Sequence, residues 1–197
     1  MNINPIVQAE VRDVQPSSCS PSGEVKAEVL FDREKRIALN SGNEEMSRIG
    51  TCLHNIFCVL EKNPTAAVAE SVIKDYQMEN ALPDAQSIVD AWMYLEESLA
   101  DNYGKKTASY HELPFRQFYN GQIFTGSIDF IWETKDGVVL VDFKSYPGSK
   151  NDVVNPEHEH FAGIYTGQFE CYERALTEAG KKVLAKVVYY HVLGAGV

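Results

Sequence analysis

Two short stretches hold the residues with the most chemistry to offer, Gly126-Ser127-Ile128-Asp129-Phe130-Ile131-Trp132 and Val138-Val139-Leu140-Val141-Asp142-Phe143-Lys144. Two carboxylates and an amine in facing segments can gather a divalent cation and polarise a phosphate or a water. Each stretch is rich in β-branched and aromatic residues and reads as a strand, and Thr134-Lys135-Asp136-Gly137 between them is a turn cluster. A turn centred on Lys135-Asp136 sets Asp129 opposite Asp142. One centred on Asp136-Gly137 sets Asp129 opposite Lys144. Either way, side-chain alternation puts Asp142 and Lys144 on one face, with Asp129 joining them. Like charges facing each other across a sheet are destabilising. Carboxylates in an apolar setting cost several kcal/mol unless compensated. Val139, Val141 and Phe143 predict a buried opposite face. A hard divalent cation, Mg²⁺ or Mn²⁺, would remove the penalty. A structural Asp–Lys ion pair on a solvated face is the alternative.

These residues must be held by the rest of the chain. A helix is predicted over about 43–62, with Met46, Ile49, Leu53, Ile56, Phe57 and Leu60 as its apolar stripe. Ser41 or Asn43 is its expected cap, and Glu44 and Glu45 fill its first turn. On spacing alone His54, beside the stripe, reads as a structural histidine. Two more helices are expected, over about 65–80 and 84–102. The second has Asp84 as cap and buries Ile88, Ala91, Trp92, Leu95 and Leu99. Trp92 fits core packing better than base stacking. Strands follow over 108–115, 115–119 and 122–130, the last two flanking the hairpin signal Asn120-Gly121. Residues 146–160 read as a polar loop, with Lys150, His158 and His160 taken as solvated. A helix over about 165–179, closed by Gly180, carries Gln168 and Tyr172 on one face. The apolar run 183–192 is then expected to join the sheet in parallel by a right-handed crossover. The predicted fold is α/β, a mixed central sheet flanked by helices in the order α-β-β-β-α-β.

At 197 residues and 44% hydrophobic content, the chain supports one domain with a real core. Residues 1–24, with Pro5, Pro16 and Pro21, read as a flexible lead or linker, residues 25–197 as the domain, and 25–39 have no clear assignment. No apolar run reaches membrane-spanning length, so no membrane role is expected. The four cysteines, Cys19, Cys52, Cys58 and Cys171, show no close-paired spacing, which fits a reduced cytoplasmic protein. The net charge of −10 is unusual for a free nucleic-acid binder.

Gly-Ser-Ile-Asp followed by Val-Asp-Phe-Lys resembles the paired motifs of the PD-(D/E)XK nuclease superfamily, and most closely the RecB-type nuclease domain of RecB and AddA helicase–nuclease subunits. Gly50-Thr51-Cys52-Leu53-His54 resembles the family's Gly-x-x-x-His helix. Tyr110-His111-Glu112-Leu113-Pro114-Phe115 resembles its Glu-x-Pro-Phe strand, and Gln168-Phe169-Glu170-Cys171-Tyr172 its Gln-x-x-x-Tyr helix. Ile128 stands where the superfamily has a nominal proline. The resemblance implies a restriction-endonuclease-like core and Mg²⁺- or Mn²⁺-dependent cleavage of DNA, leaving 5′-phosphate and 3′-hydroxyl ends. It implies that His54, Asp129, Asp142 and the Phe143 carbonyl hold the metal. Lys144 orients or deprotonates the attacking water, and Glu112 assists as ligand or near neighbour. Gln168 and Tyr172 hold the substrate backbone, with Arg174 adding a phosphate contact. The downstream cysteine cluster of iron–sulfur relatives is missing, so no such cluster is expected. The acidic charge fits a nuclease served by a helicase domain or partner subunit in double-strand break repair. No phosphate-loop motif for such a motor occurs here. A catalytically silent DNA-binding module is the alternative, and an RNA-directed or site-specific endonuclease a third reading.

Overall fold

The computed structural model describes residues 13–20, 22–23, 25–40, 46–119 and 121–197. The alternating strand patterns come together in one seven-stranded sheet. Its body is β3 (Ala108–Tyr119), β4 (Gln122–Thr134), β5 (Gly137–Lys144) and β6 (Val183–Tyr190). β3, β4 and β5 form an antiparallel meander, and β6 joins β5 in parallel after the crossover. Three two-residue strands complete it: β1 (Asp13–Val14) beside β4, and β7 (Ala195–Gly196) and β2 (Phe31–Asp32) beyond β6. The mixed sheet flanked by helices is the expected fold class.

Period-two alternation divides β5 between two cores. Val139, Val141 and Phe143 pack on α1 (Met46–Leu60), α2 (Ala66–Asp75) and α3 (Ala85–Tyr103). Val138 and Leu140 face α5 (Thr166–Glu178) through Phe169, Tyr172 and Leu176. The helix stripes are buried as predicted, Trp92 completely, except that Met46 at the start of α1 is only partly buried. Asp84 caps α3 by accepting from the Ser87 N–H at 3.1 Å. The candidate caps of α1, Ser41 and Asn43, with Glu44 and Glu45, lie outside the described residues, as does Asn120 of the β3–β4 hairpin. That hairpin is nevertheless fixed by the Tyr119–Gln122 pair and by Gly121 at φ +78°.

Four expectations need correction. The strands expected over 108–115 and 115–119 are one strand, β3. Pro114 does not break it, because among the described residues β3 pairs only with β4 and its other edge needs no N–H donor. The second helix ends at Asp75, short of residue 80: Gln77 turns the chain at φ +56° and sends Met78 and Leu82 into the core. The loop 146–160 contains a helix, α4 (Lys150–Val154), opened by a reciprocal capping box of Ser149 and Asp152. Finally, the described part of the lead is docked on the domain. Pro16 is buried against Gly126, β1 pairs with β4, and Ser22 donates to Glu170.

Candidate functional site

The β4–β5 turn is centred on Lys135-Asp136, since Thr134 pairs with Gly137. Thr134 Oγ1 accepts from the Asp136 N–H at 3.2 Å and donates to the Gly137 carbonyl at 3.1 Å. Gly137, at φ +150°, lies so close to β6 that a Cβ there would be 2.4 Å from the Lys182 carbonyl oxygen. This register runs from Thr134–Gly137 to Phe130–Val141, and its next position sets Asp129 against Asp142. The β3–β4 register, with His111 opposite Phe130 and Leu113 opposite Ile128, sets Glu112 against Asp129. Three carboxylates therefore occupy one row across β3, β4 and β5.

The backbone yields along that row. The regular β4–β5 ladder stops at Phe130–Val141, and the Asp129 carboxylate takes over as acceptor for the Phe143 N–H at 2.8 Å. Glu112 drops out of the β3–β4 ladder at φ +48°. A non-glycine residue in that left-handed region costs about 1–3 kcal/mol. Where the strands part, side chains from both layers of helices can enter. From α1, His54 brings Nε2 to 2.7 Å from Glu112 Oε1, but off the line of a hydrogen bond. From α5, Gln168 donates to Asp142 Oδ1 at 2.6 Å and to the Tyr172 hydroxyl at 2.7 Å. Tyr172 in turn donates to the Ser127 carbonyl at 3.0 Å. Lys144 is ion-paired with Asp142 and lies 4.5 Å above the Tyr165 ring.

The electrostatics are those of crowded acids. Burial, then the neighbouring Asp142, push the Asp129 carboxyl up to about 7. Burial holds His54 below its usual range against the pull of Glu112 and Asp142, so the neutral imidazole is favoured. Burial also works against charge on Lys144, but Asp142 and Asp129 outweigh it and keep the ammonium above its ordinary range.

The donor set fits a divalent cation. One atom each from His54, Glu112 and Asp129 lie within 4.8 Å of one another, and His54 Nε2 is a buried nitrogen with no hydrogen-bond partner. A neutral imidazole with two carboxylates suits Mn²⁺ or Mg²⁺. Asp142, in the same row, stands outside that trio, engaged by Lys144 and Gln168. Phe143 presents its N–H to Asp129. Arg174 is elsewhere, with its guanidinium carbon 3.3 Å from the centre of the Tyr119 ring.

Several residues of the site had no sequence signal of their own. Ser127 donates to Glu112 Oε2 at 2.7 Å. Tyr165, Ser145, Tyr146 and His160 help line a cavity of about 340 Å³ that opens beside His54 and Lys144. His160, expected to be solvated, stacks on Tyr146 with ring centres 3.9 Å apart, and Lys150 is paired with Asp32. Ser127 lay inside a motif already singled out. The cavity residues come from separate segments with no shared pattern.

From residue 29 to residue 196 the chain matches the family model of the PD-(D/E)XK nuclease superfamily. No curated protein matches it.

Proposed function

The chain belongs to the PD-(D/E)XK nuclease superfamily, and from that premise we propose that it is a Mg²⁺- or Mn²⁺-dependent deoxyribonuclease. The observation that carries this reading is the row Glu112, Asp129 and Asp142, faced by His54 and Lys144. A phosphodiester would be repelled by three carboxylates met by one amine. A bound cation makes the row attractive to phosphate instead. His54, Glu112 and Asp129 are the residues to hold it, with Asp142 next to them in the row. When bound, the metal supplies Lewis acidity and a lowered water pKa.

The protein's own groups have separable tasks. Lys144, kept as an ammonium by Asp142, can donate to a non-bridging phosphate oxygen and offset charge developing during attack. Gln168 fixes the Asp142 carboxylate, and Tyr172 locks Gln168 to β4 through the Ser127 carbonyl. The cavity beside Lys144, walled by Tyr146 and Tyr165, offers aromatic faces to the nucleotide next to the scissile bond. The net charge of −10 gives little general attraction for DNA. Together with the RecB-type motif order, that charge supports delivery of a strand end by a helicase domain or partner subunit in break repair.

Cleavage of single-stranded and duplex DNA should require added Mg²⁺ or Mn²⁺ and stop with chelator. Asp142→Ala should lower it by roughly a thousandfold or more with the fold intact. No cleavage of either substrate with either metal would favour a silent binding module, and a preference for RNA would reassign the substrate.

A further inference from the structure

The described part of the amino-terminal segment ends against α5 in a contact the nuclease reading does not use. Cys19 Sγ lies 2.8 Å from Cys171 Sγ, between residues 152 positions apart. That is about 0.8 Å longer than a disulfide bond of about 2.05 Å. The segment lies tightly on α5 one turn before Cys171: a Cβ on Gly167 would fall 2.1 Å from the Cys19 carbonyl oxygen, so only glycine admits the segment here. Both thiols are free, and both help line a cavity of about 400 Å³ with Ser20, Tyr119 and Arg174. Cys19 is partly exposed and Cys171 is buried. The other two cysteines belong to α1 and take no part in this contact.

We propose that Cys19 and Cys171 are a reversible cross-linking site, closed to a disulfide by exchange with a low-molecular-weight disulfide such as oxidised glutathione. Cys19, the accessible partner, loses its proton and attacks one sulfur of the oxidant. This forms a mixed disulfide and releases one thiol. The sulfur of Cys171 then attacks the Cys19 sulfur, loses its proton, and releases the second thiol. Two protein thiols are oxidised and one external disulfide is reduced to two thiols. Burial and the neighbouring Cys19 push the Cys171 thiol up to about 12, consistent with its acting second, inside the mixed disulfide. The bond would fasten the segment carrying β1 to the helix that carries Gln168 and Tyr172.

The test is independent of nuclease activity. The reduced full chain is incubated with oxidised glutathione and examined by intact mass and peptide mapping. The expected product has lost two hydrogens, carries no glutathione, and yields a Cys19–Cys171 linked peptide that dithiothreitol separates. Its melting temperature should rise by roughly 5–10 °C, as for closure of a long loop. Cys19→Ser should show neither change. An unaltered mass, a lasting glutathione adduct on Cys19, or a link through Cys52 or Cys58 would overturn the proposal.

Discussion

Helix α1 and the turn that follows it send two side chains to β3, His54 from the helix and Glu61 from the turn. They arrive in opposite electrostatic settings. Glu61 accepts from Lys106 Nζ at 3.2 Å and from the Ser109 hydroxyl, with His111 Nε2 at 3.1 Å from its other oxygen. Lys106 also pairs with Glu96, so a cation stands between the two acids. Burial alone would raise the Glu61 carboxyl, yet Ser109, Lys106 and His111 hold it below the usual range. Beside His54, Asp129 rises to about 7, first through burial and then through the neighbouring Asp142. The backbone differs in the same sense. Ser109 and His111 pair regularly with Trp132 and Phe130, whereas Glu112 stands at φ +48°. One cluster sets its acids around a cation. The other keeps crowded acids and local strain in place, and such strain persists only where the surrounding fold over-determines it.

That contrast can be broken experimentally. The largest effect belongs to Lys144→Ala, which should cost about a thousandfold in metal-dependent cleavage by the folded fraction. Near-normal cleavage would remove Lys144 from the reaction. Glu61→Ala should do the reverse. It should lower unfolding free energy by about 1–3 kcal/mol in urea titrations, because Lys106 and Ser109 lose their shared acceptor, and leave cleavage by the folded fraction intact. A cleavage defect at full stability would mean the two clusters are one site.

Glu112→Gly sharpens the comparison from the other side. Relief of the left-handed conformation and of one like-charge contact should stabilise the metal-free fold by roughly 0.5–1 kcal/mol, while cleavage falls. A destabilised variant would show that the row is not strained. The smallest effect is a pH slope. The folded Glu61 pKa is depressed, so its stabilisation is fully present above the ordinary glutamate value of about 4.3 and is lost as pH falls through the folded value. Wild type should therefore lose stability more steeply than Glu61→Gln on acidification below about pH 4.3. Parallel curves would refute that assignment.

Much of the sheet could be read in advance because its rules are local. Alternation set Asp142 and Lys144 apart from Val139, Val141 and Phe143, and the apolar run after α5 placed β6 parallel to β5. Turn residues narrowed the β4–β5 register to two choices. The folded chain adopts the one in which Thr134 pairs with Gly137, with Gly137 packed against Lys182 of the following segment. The strands expected on either side of Phe115 are one, and Pro114 within it is tolerated because its effect depends on whether the strand is an edge. The capping box at Ser149 was short enough to pass for loop.

The order of elements, the faces of β5 and the helix bearing Gln168 and Tyr172 follow from the sequence alone, since periodicity and turn chemistry act over a few residues. Only the tertiary structure decided that Glu112 would leave its ladder to meet His54 and Asp129, that the strands would part beside Asp142, and that Cys19 would rest on Cys171. Those meetings join residues distant in the chain. Their positions depend on how whole helices and sheets pack together, which no local pattern encodes.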